Sequence, residues 1–486
     1  MRNTVDFNNG WLFSKEATSV PAKLPDDWEK IDLPHTWNGT DGQDGGNDYY
    51  RGTCYYAKCL RSEEFPPGEE HYLQFDAVNS SADIYFNGKK MYTHHGGYSA
   101  FRVKIDSIQA ENLLVVAADN SPNDFVYPQQ ADFTFYGGIY RGVKLIGVPK
   151  THFDLDYFGA PGISVTPVVS GNTADITLKV YVNIEAKIKI DILDGNGDLV
   201  CSDITSGKTA ECRFCIDNVH LWNGVEDPYL YTASAQIIEN DEVLDEVSCK
   251  FGCRSFHFDA DKGFFLNGKS YPLRGVSRHQ DRPGIGNALK YEHHKEDIDL
   301  ICEMGANTVR LAHYQHSQDF YDLCDERGLI VWAEIPYISR HMPNGRENTI
   351  SQMKELIYQN YNHPCIVTWG LSNEITMGGA ADKDLLDNHR VLNDLVHEQQ
   401  WRLSRCVRPM KRSQRYRISF PIITILAGTA EALICTAHGL MIIIINFLSE
   451  LSESANTAVK RSIGIHRNRN RGIIRKNIRH IITKNL

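Results

Sequence analysis

Between residues 255 and 376, segments typical of strands and segments typical of helices alternate along the chain. In chain order they read YPLRGV, HKEDIDLICEMG, NTVRLAHY, SQDFYDLCDERG, LIVWAEIP, TISQMKELIYQNYN and CIVTW. Gly305 and Gly328 predict the ends of the first two helices, Ser317 is a candidate N-cap, and Pro364 follows the third helix. This order requires a parallel sheet with helices outside it, as either a barrel or a doubly wound sheet.

Polar residues come just past the predicted ends of four successive strands. From the first strand to the fourth they are Arg278 and His279, His313, Glu334, and Asn373 with Glu374. Active sites of (β/α) barrels lie at this end of the strands, so the pattern favours a barrel with a functional site there. A carboxyl group held among apolar neighbours can stay protonated and donate to a leaving oxygen, as in glycoside cleavage. Glycoside cleavage is one of several enzymatic functions that the pattern allows.

Two common classes of enzyme lack their sequence signatures. No G-x-G-x-x-G or Walker-type loop opens a helix after a strand, so nucleotide phosphate binding has no support. The G-x-S-x-G turn of serine hydrolases is also absent.

The first 254 residues are typical of two β domains. In SADIYFNGKKMYTHH, Ala82, Ile84 and Phe86 alternate with polar or amphipathic neighbours, and Asn87-Gly88 supplies the positive φ angles of a tight hairpin turn. NLLVVAAD and IYRGVKLIGV are further strands, so a sandwich is expected up to about residue 150. ADITLKVYVNI and IKIDILDGNGDLV predict a second, immunoglobulin-like sandwich over residues 151–254.

Charge is divided sharply along the 486 residues. The net charge is -10, but from Trp401 onward there are 16 Lys and Arg against 3 Asp and Glu. The apolar stretch from Phe420 to Leu448 is long enough to span a bilayer, and the basic end could contact nucleic acid. Glu431 and His438 interrupt the apolar stretch, and no nucleic-acid module motif is present. We therefore expect neither a membrane nor a nucleic-acid partner, and favour a reading-frame shift near residue 400.

Five motifs carry a family resemblance. LPHTWNG, DFTFYGGIYRGV, RGVSRHQDR, NTVRLAHYQHSQDFYDLCDERGLIVWAEIP and NHPCIVTWGLSNE occur in this order. Over about residues 5–400 the chain resembles glycoside hydrolase family 2, the bacterial β-galactosidase and β-glucuronidase group. The fold class expected is multidomain β plus α/β: a jelly-roll sandwich (1–150), an immunoglobulin-like sandwich (151–254) and an incomplete TIM (β/α) barrel (255–400). An unrelated basic and apolar tail (401–486) follows.

The resemblance implies roles for individual residues. Glu374 takes the acid/base position, and Asn373 is expected to bond the sugar 2-hydroxyl. Asp132 should reach across from the first domain to sugar hydroxyls, and His313 should line the same pocket. Arg278, His279 and Glu334 are expected to contact the substrate or to support the residues that do. The alternatives are a turn residue for Asp132, a packed histidine for His313 and an internal ion pair for Arg278.

Cofactors and metals are less defined. No cofactor is certain, although the resemblance allows magnesium or sodium near the acid/base. His279-Gln280-Asp281 could offer metal ligands but lacks a third well-spaced donor. Four thiols, at Cys212, Cys215, Cys249 and Cys253, could form a zinc site, although buried cysteines in alternating strands are the simpler interpretation. We predict no metal site.

The substrate and the second carboxylate complete the predictions. RHQDR is closer to β-galactosidases than to β-glucuronidases, so we expect a β-galactoside, with a glucuronide as the alternative. Retaining cleavage needs a nucleophile, which in this family comes from the seventh barrel strand. The match fades after HRVLNDLVHEQQ, and only Glu431, Glu450 and Glu453 remain beyond it. We therefore expect little or no activity, with a non-catalytic carbohydrate-binding protein as the runner-up.

The cellular setting is predicted from the amino terminus. MRNTVDFNNGWLFSKE lacks the apolar stretch of a signal peptide, so a cytoplasmic location is expected. A carbohydrate is the expected partner, and an oligomer is possible.

Overall fold

The computed structural model describes residues 1–41, 48–259, 261–376 and 381–400. The predicted tail, with its apolar stretch and its three glutamates, lies outside the described residues. None of the helices in the described ranges is both long and apolar enough to cross a membrane.

The first 150 residues form a β-sandwich. Its strands are β1 (Asn3–Asp6), β2 (Trp11–Ser14), β3 (Glu29–Ile31), β4 (Thr53–Arg61), β5 (Glu70–Phe75), β6 (Ser81–Phe86), β7 (Lys89–His95), β8 (Phe101–Ile105), β9 (Glu111–Asp119) and β10 (Val143–Val148). They form a four-stranded sheet in the order β1-β10-β5-β8 and a six-stranded sheet in the order β3-β2-β4-β9-β6-β7. Apolar residues of both sheets bury a common core between them.

The predicted hairpin is confirmed as β6 and β7. Asn87 and Gly88 have φ angles of 52° and 78°, the positive values that a two-residue hairpin turn requires. Ala82, Ile84 and Phe86 are buried, as their alternation predicts.

A second sandwich follows. Its strands are β11 (Ile163–Ser170), β12 (Thr173–Leu193), β13 (Leu199–Asp217), β14 (Tyr231–Glu239) and β15 (Glu242–Phe251). The sequence suggested two separate strands, whereas β12 is a single strand of 21 residues. The pairing of β12 has a register irregularity between Tyr181 and Ala186. Before this point β12 pairs with β11, and after it β12 pairs with β14, so the two halves of one strand resemble two strands in the sequence.

A short three-stranded sheet leads into the α/β region. Its strands are β16 (Phe256–Asp259), β17 (Gly263–Leu266) and β18 (Lys269–Ser270). The α/β region comprises β19 (Gly275–Arg278), α1 (Tyr291–Glu303), β20 (Thr308–Leu311), α2 (Gln318–Arg327), β21 (Ile330–Glu334), α3 (Arg346–Gln359), β22 (Ile366–Gly370) and α4 (Lys383–Gln400). The four strands pair in parallel in chain order, half the number in a complete barrel. The fold class of the described residues is therefore as predicted.

The first barrel strand begins later than its sequence suggested. YPLRGV predicted a strand over 271–276, whereas β19 covers Gly275–Arg278. Asn307 accounts for the delay, because its side chain accepts a hydrogen bond from the Arg274 backbone N–H (2.7 Å) and donates to the Pro272 carbonyl (2.9 Å). These bonds hold the segment before β19 outside the regular ladder.

Helix ends follow their signals closely. Gly305 and Gly328 have φ angles of 77° and 71° just after α1 and α2, so glycine is needed at both positions. Ser317 occupies the N-cap position of α2, but its hydroxyl donates to Asp319 (3.3 Å) instead of capping a backbone N–H. α3 begins and ends about one turn earlier than TISQMKELIYQNYN suggested.

The first sandwich packs directly on the barrel strands and helices. The Arg141 guanidinium donates to the Tyr98 carbonyl (2.7 Å) within the sandwich and to the Gln315 carbonyl (2.9 Å) in the barrel. Tyr98 also stacks on Tyr314, with ring centroids 4.3 Å apart. These buried contacts join the first sandwich to the loop between β20 and α2.

Candidate active site

The predicted site residues lie at the carboxyl ends of the four parallel strands, with one difference in placement. Arg278 and Glu334 are the last residues of β19 and β21, whereas the sequence suggested positions beyond the strands. His313 follows β20 by two residues, and Asn373 and Glu374 follow β22. Residues inside a strand are held by the ladder, so Arg278 and Glu334 have less freedom than the residues of the loops.

Glu334 is fully buried and paired with Arg310. The Arg310 guanidinium donates to both carboxylate oxygens, from Nε to Oε1 (2.9 Å) and from a terminal nitrogen to Oε2 (3.0 Å). His313 Nδ1 lies 3.1 Å from the same Oε1. A two-point contact of this kind defines orientation as well as binding strength. Arg310 also lies over the Trp332 ring, 4.5 Å from its centroid.

Charge keeps Glu334 ionised in spite of its burial. Burial alone raises the pKa of a carboxyl group, but the Arg310 charge and the His313 contact outweigh that effect, so the pKa of Glu334 lies below its ordinary value. Glu334 is therefore a fixed negative charge at neutral pH and not a proton donor.

Arg310 also orients Asn373. One guanidinium nitrogen donates to Asn373 Oδ1 at 2.8 Å. Because arginine has no acceptor, the oxygen of the amide must face Arg310, and Nδ2 with its two hydrogens faces away. The backbone of Asn373 is fixed as well, since its N–H donates to the Tyr337 carbonyl (2.9 Å) and its carbonyl accepts from Ser339 (3.0 Å).

Glu374 stands next to this fixed amide. It is partly exposed and has a φ angle of 49°, a left-handed conformation that costs about 1 kcal/mol or more in a residue other than glycine. Its carboxyl group makes no hydrogen bond or ion pair to the described residues. A strained backbone and an uncommitted carboxyl group are typical of a functional residue rather than of a structural one.

Histidines and a phenylalanine form an aromatic wall. The Phe133 ring, from the first sandwich, lies 5.0 Å from the His279 ring and 6.1 Å from the His313 ring. Burial and the neighbouring His313 lower the pKa of His279, so its ring is neutral at pH 7. Asp132 is exposed, and its charge opposes the lowering of the His279 pKa. This part of the first sandwich therefore lies near the strand ends.

Arg278 is held inside the barrel wall. Its guanidinium donates to Asp297 on α1, at 2.5 and 2.9 Å, and to the Nδ1 atoms of His294 (3.1 Å) and His316 (3.0 Å). It also lies 3.9 Å from the Phe320 ring centroid. Arg278 is buried, and its guanidinium is bound to protein groups. This environment is the internal ion pair that was named as the alternative to a binding role for Arg278.

Two contributors were not predicted from the sequence. Arg310 contacts three of the predicted residues, and its signal was a charged side chain within the apolar strand TVRL. On α4, His389 Nε2 lies 2.8 Å from the Ser372 hydroxyl, and its Nδ1 bonds the Leu385 carbonyl at 3.0 Å. Nothing in the local sequence pointed to His389, because the contact joins α4 to the loop after β22.

In the described part of the chain, one group of three His, Cys, Asp or Glu side chains lies close enough to share a metal ion, namely Asp325, His363 and Cys365. Both Asp325 oxygens already accept hydrogen bonds, from His363 Nδ1 (2.6 Å) and from the Cys365 N–H (3.0 Å). Cys365 precedes β22, so this cluster lies at the opposite end of the strand from Glu374. The magnesium or sodium implied by the resemblance prefers oxygen ligands and does not fit this cluster.

The His279-Gln280-Asp281 stretch sends its side chains to different partners. His279 Nδ1 bonds the Tyr314 hydroxyl (3.2 Å), Gln280 accepts from the Ser317 N–H (3.1 Å) and Asp281 accepts from Tyr136 (3.0 Å). The four cysteines of the possible zinc site form no such group in the described ranges either.

Relatives and solved structures of similar sequence include both β-glucuronidases and β-galactosidases. The chain is 38% identical over 403 residues to a β-glucuronidase from Bacteroides fragilis, covering 77% of this chain and 56% of that protein. It is 30% identical over 420 residues to a β-galactosidase from Thermoanaerobacter pseudethanolicus, covering 82% of this chain and 54% of that protein. The chain thus spans little more than half the length of these relatives.

Solved structures show the same architecture. The crystal structure of an FMN-binding β-glucuronidase from Faecalibacterium prausnitzii L2-6 superposes with a TM-score of 0.78 at 41% identity, covering 83% of this chain and 63% of that one. A putative β-galactosidase from Bacteroides fragilis gives the same TM-score at 37% identity, with the same coverage of both chains.

Three domain models of one family match in succession. They are described as the glycosyl hydrolases family 2 sugar binding domain, at residues 2–149, as glycosyl hydrolases family 2, at 161–254, and as the glycosyl hydrolases family 2 TIM barrel domain, at 260–396. Together they cover most of the chain, in the order in which the two sandwiches and the barrel strands occur. The chain therefore belongs to glycosyl hydrolases family 2.

Proposed function

We propose that the strand-end site recognises a β-glycoside and that Glu374 donates a proton to the leaving oxygen. The observation that carries the proposal is the contact of Arg310 with Asn373, which turns Nδ2 of the amide away from Arg310, in the residue next to Glu374. An oriented donor for a sugar hydroxyl beside an uncommitted carboxyl group suits glycoside cleavage. Asp132 would accept from further hydroxyls, and the rings of Phe133, His279 and His313 would pack against the sugar.

The described residues supply one half of a retaining mechanism. Retention needs two carboxyl groups about 5 to 5.5 Å apart, one as acid/base and one as nucleophile. Glu334 is the other carboxylate at these strand ends, and both of its oxygens accept hydrogen bonds from Arg310. We therefore assign Glu334 to holding Arg310 and propose that a nucleophile must come from outside the described residues. Without one, the site binds sugar and does not turn it over.

A neutral galactoside is the preferred substrate class. Arg278 and Arg310 are both committed to protein carboxylates, Asp297 and Glu334. A uronic acid carboxylate would therefore find neither guanidinium free, which agrees with the galactosidase-like RHQDR stretch. The relatives named as β-glucuronidases keep a glucuronide as the alternative, with its carboxylate bound by residues outside the described ranges.

A non-catalytic carbohydrate-binding function is the second candidate. It is favoured by the engagement of both Glu334 oxygens, which leaves Glu374 without a free carboxylate partner at the described strand ends.

The test combines binding and turnover in the purified full chain. Calorimetry with isopropyl thio-β-galactoside, which resists cleavage, should show saturable binding that Asn373→Ala weakens about ten-fold, the effect of one strong hydrogen bond. Nitrophenyl β-galactoside and nitrophenyl β-glucuronide measure turnover, and Glu374→Gln should remove whatever turnover is found. Glu226→Gln, an exposed carboxylate in the second sandwich, is the matched control and should change neither result.

Four outcomes separate the alternatives. Binding without turnover supports the non-catalytic candidate, and binding with turnover sensitive to Glu374→Gln supports a complete glycosidase. Turnover that survives Glu374→Gln, or no binding of either sugar class, contradicts the proposal.

A further inference from the structure

The segment that carries Glu374 has a backbone conformation that needs support. Glu374 has a φ angle of 49°, and a residue other than glycine keeps this left-handed conformation only where its surroundings fix it. Ser372 and Asn373, the two residues before it, are both buried. The contacts of these two residues therefore help to determine where the Glu374 carboxyl group lies.

Helix α4 supplies a side-chain contact to this segment. His389 of α4 is 7% exposed, and its Nε2 atom lies 2.8 Å from the Ser372 hydroxyl. The Nδ1 atom of the same ring bonds the carbonyl of Leu385, one turn earlier in the helix, at 3.0 Å. The imidazole therefore joins α4 to the residue two positions before Glu374.

The direction of both hydrogen bonds of His389 follows from the chemistry of the partners. A carbonyl oxygen only accepts, so Nδ1 carries a hydrogen and donates to Leu385. Burial lowers the pKa of His389, the bond to Leu385 opposes this effect, and the neighbouring His341 adds to it, so the ring is neutral at pH 7. The second nitrogen of a neutral imidazole has no hydrogen, so Nε2 accepts and the Ser372 hydroxyl donates.

A second set of contacts runs from α4 to the same segment. Asp384, in the first turn of α4, lies 2.7 Å from His341 Nε2, and His341 Nδ1 lies 2.7 Å from the Tyr337 hydroxyl. The Tyr337 carbonyl accepts from the Asn373 N–H (2.9 Å). The Tyr337 ring also packs against the His389 ring, with centroids 5.3 Å apart. The two sets of contacts thus end on adjacent residues of the segment.

We propose that His389 is a positioning residue for Asn373 and Glu374. Its hydrogen bond with Ser372 fixes the backbone just before them, and so keeps the oriented amide and the carboxyl group in place for a sugar. The effect on sugar binding rests on the proposed function, whereas the effect on the segment itself does not.

Two substitutions of His389 separate this role from simple packing. In His389→Gln the amide oxygen can reach the position of Nε2 and still accept from Ser372. In His389→Asn the shorter amide reaches the position of Nδ1, so the bond to Leu385 can remain while the acceptor for Ser372 is lost. Ser372→Ala removes the donor and leaves α4 unaltered. Arg390→Gln is the matched control, because Arg390 is the next residue of α4, is exposed and forms a surface ion pair with Asp387.

Hydrogen exchange followed by mass spectrometry reports on the segment without any sugar. In the full chain, the peptide that covers residues 370–376 should exchange about three- to ten-fold faster in His389→Asn and in Ser372→Ala, the effect of one lost hydrogen bond. His389→Gln and Arg390→Gln should leave the exchange rate unaltered. The double variant His389→Asn with Ser372→Ala should exchange no faster than either single variant, because both changes remove the same bond.

Calorimetry with isopropyl thio-β-galactoside tests the consequence for the strand-end site. The dissociation constant should rise about three- to ten-fold in His389→Asn and stay within about two-fold of its original value in His389→Gln. Arg390→Gln should leave the dissociation constant unchanged.

Four results would overturn the proposal. They are an unaltered exchange rate of the 370–376 peptide in both His389→Asn and Ser372→Ala, equal acceleration in His389→Asn and His389→Gln, acceleration spread evenly over the whole chain, and a dissociation constant that His389→Asn leaves unaltered. If the original protein binds no sugar, the proposed function fails, and the exchange rates still decide the role of His389.

Discussion

At the scale of single residues, Arg310 matters most to the candidate site. It neutralises the buried Glu334, orients Asn373 and contacts His313. The sequence predicted the three partners but not the residue that joins them, because a strand position is read from its apolar neighbours and the partners are 3 to 63 residues away along the chain.

Removal of Arg310 should be costly for stability. Arg310→Ala leaves the Glu334 charge buried and unpaired, which typically costs about 3 to 5 kcal/mol. Replacing both partners, as Arg310→Met with Glu334→Leu, should recover much of that loss because no buried charge remains. Urea unfolding monitored by circular dichroism measures both variants.

The matched control for this prediction is Arg61→Ala. Arg61 pairs with Glu63 and Glu64 on the surface, where such pairs contribute about 0 to 1 kcal/mol. Equal losses in the free energy of unfolding from Arg310→Ala and Arg61→Ala would contradict the prediction that the buried pair stabilises the protein more than the surface pair does.

At the scale of secondary-structure elements, local signals were most reliable where one residue determines the geometry. The Asn87-Gly88 turn and the glycines after α1 and α2 were predicted correctly, because few residues adopt positive φ angles. The predicted start of β19 and the predicted division of β12 into two strands were wrong, because Asn307 and the pairing partners of β12 act through tertiary contacts.

Gly370 provides a test of strand packing at the site. It is the last residue of β22 and pairs with Glu334, and a Cβ atom there would lie 2.6 Å from Glu334 Cβ and 2.6 Å from the Trp332 indole nitrogen. Gly370→Ala should therefore displace Glu334, destabilise the protein by about 1 to 3 kcal/mol, and weaken thiogalactoside binding in calorimetry.

Gly88→Ala is the comparison variant. Its φ angle of 78° carries a backbone cost of about 1 kcal/mol, but nothing lies within 4 Å of the added Cβ atom. It should lower stability and leave sugar binding unchanged. Unaltered binding in Gly370→Ala would contradict the role given to this packing.

At the scale of the whole molecule, buried histidines make the fold sensitive to acid. Burial and the neighbouring Arg278 lower the pKa of His294 from 6.5 to about 2, and burial with Arg278 lowers that of His316 well below 6.5. Below pH 6.5 the unfolded chain binds protons that the folded protein cannot, so stability falls as pH falls. His363 acts in the opposite direction: burial lowers its pKa, but Asp325 raises it above 6.5 overall.

The expected loss between pH 7.5 and 5.5 is about 1.4 kcal/mol for each histidine of the first kind. His294→Gln removes one titrating group and should shrink the difference between the two pH values by about that amount, measured by urea unfolding. His257→Gln, an exposed residue on β16, is the control. A pH dependence that His294→Gln leaves unaltered would contradict this origin.

Across the whole molecule, the sequence predicted domain type better than domain contact. Strand periodicity and the β/α alternation indicated two sandwiches and a barrel, but no periodicity indicated that Arg141 would join the first sandwich to Gln315.

The contact between Arg310 and Asn373 has a consequence for the entropy of sugar binding. A free asparagine side chain loses rotamer entropy when a ligand immobilises it, at about 0.5 to 1.5 kcal/mol for a side chain of this kind. Here the amide is already immobilised in the folded protein. Arg310 donates a hydrogen bond, so only the amide orientation with Oδ1 toward Arg310 forms this contact. The sugar therefore meets a preorganised donor, and the entropy of ordering Asn373 is lost during folding rather than at each encounter.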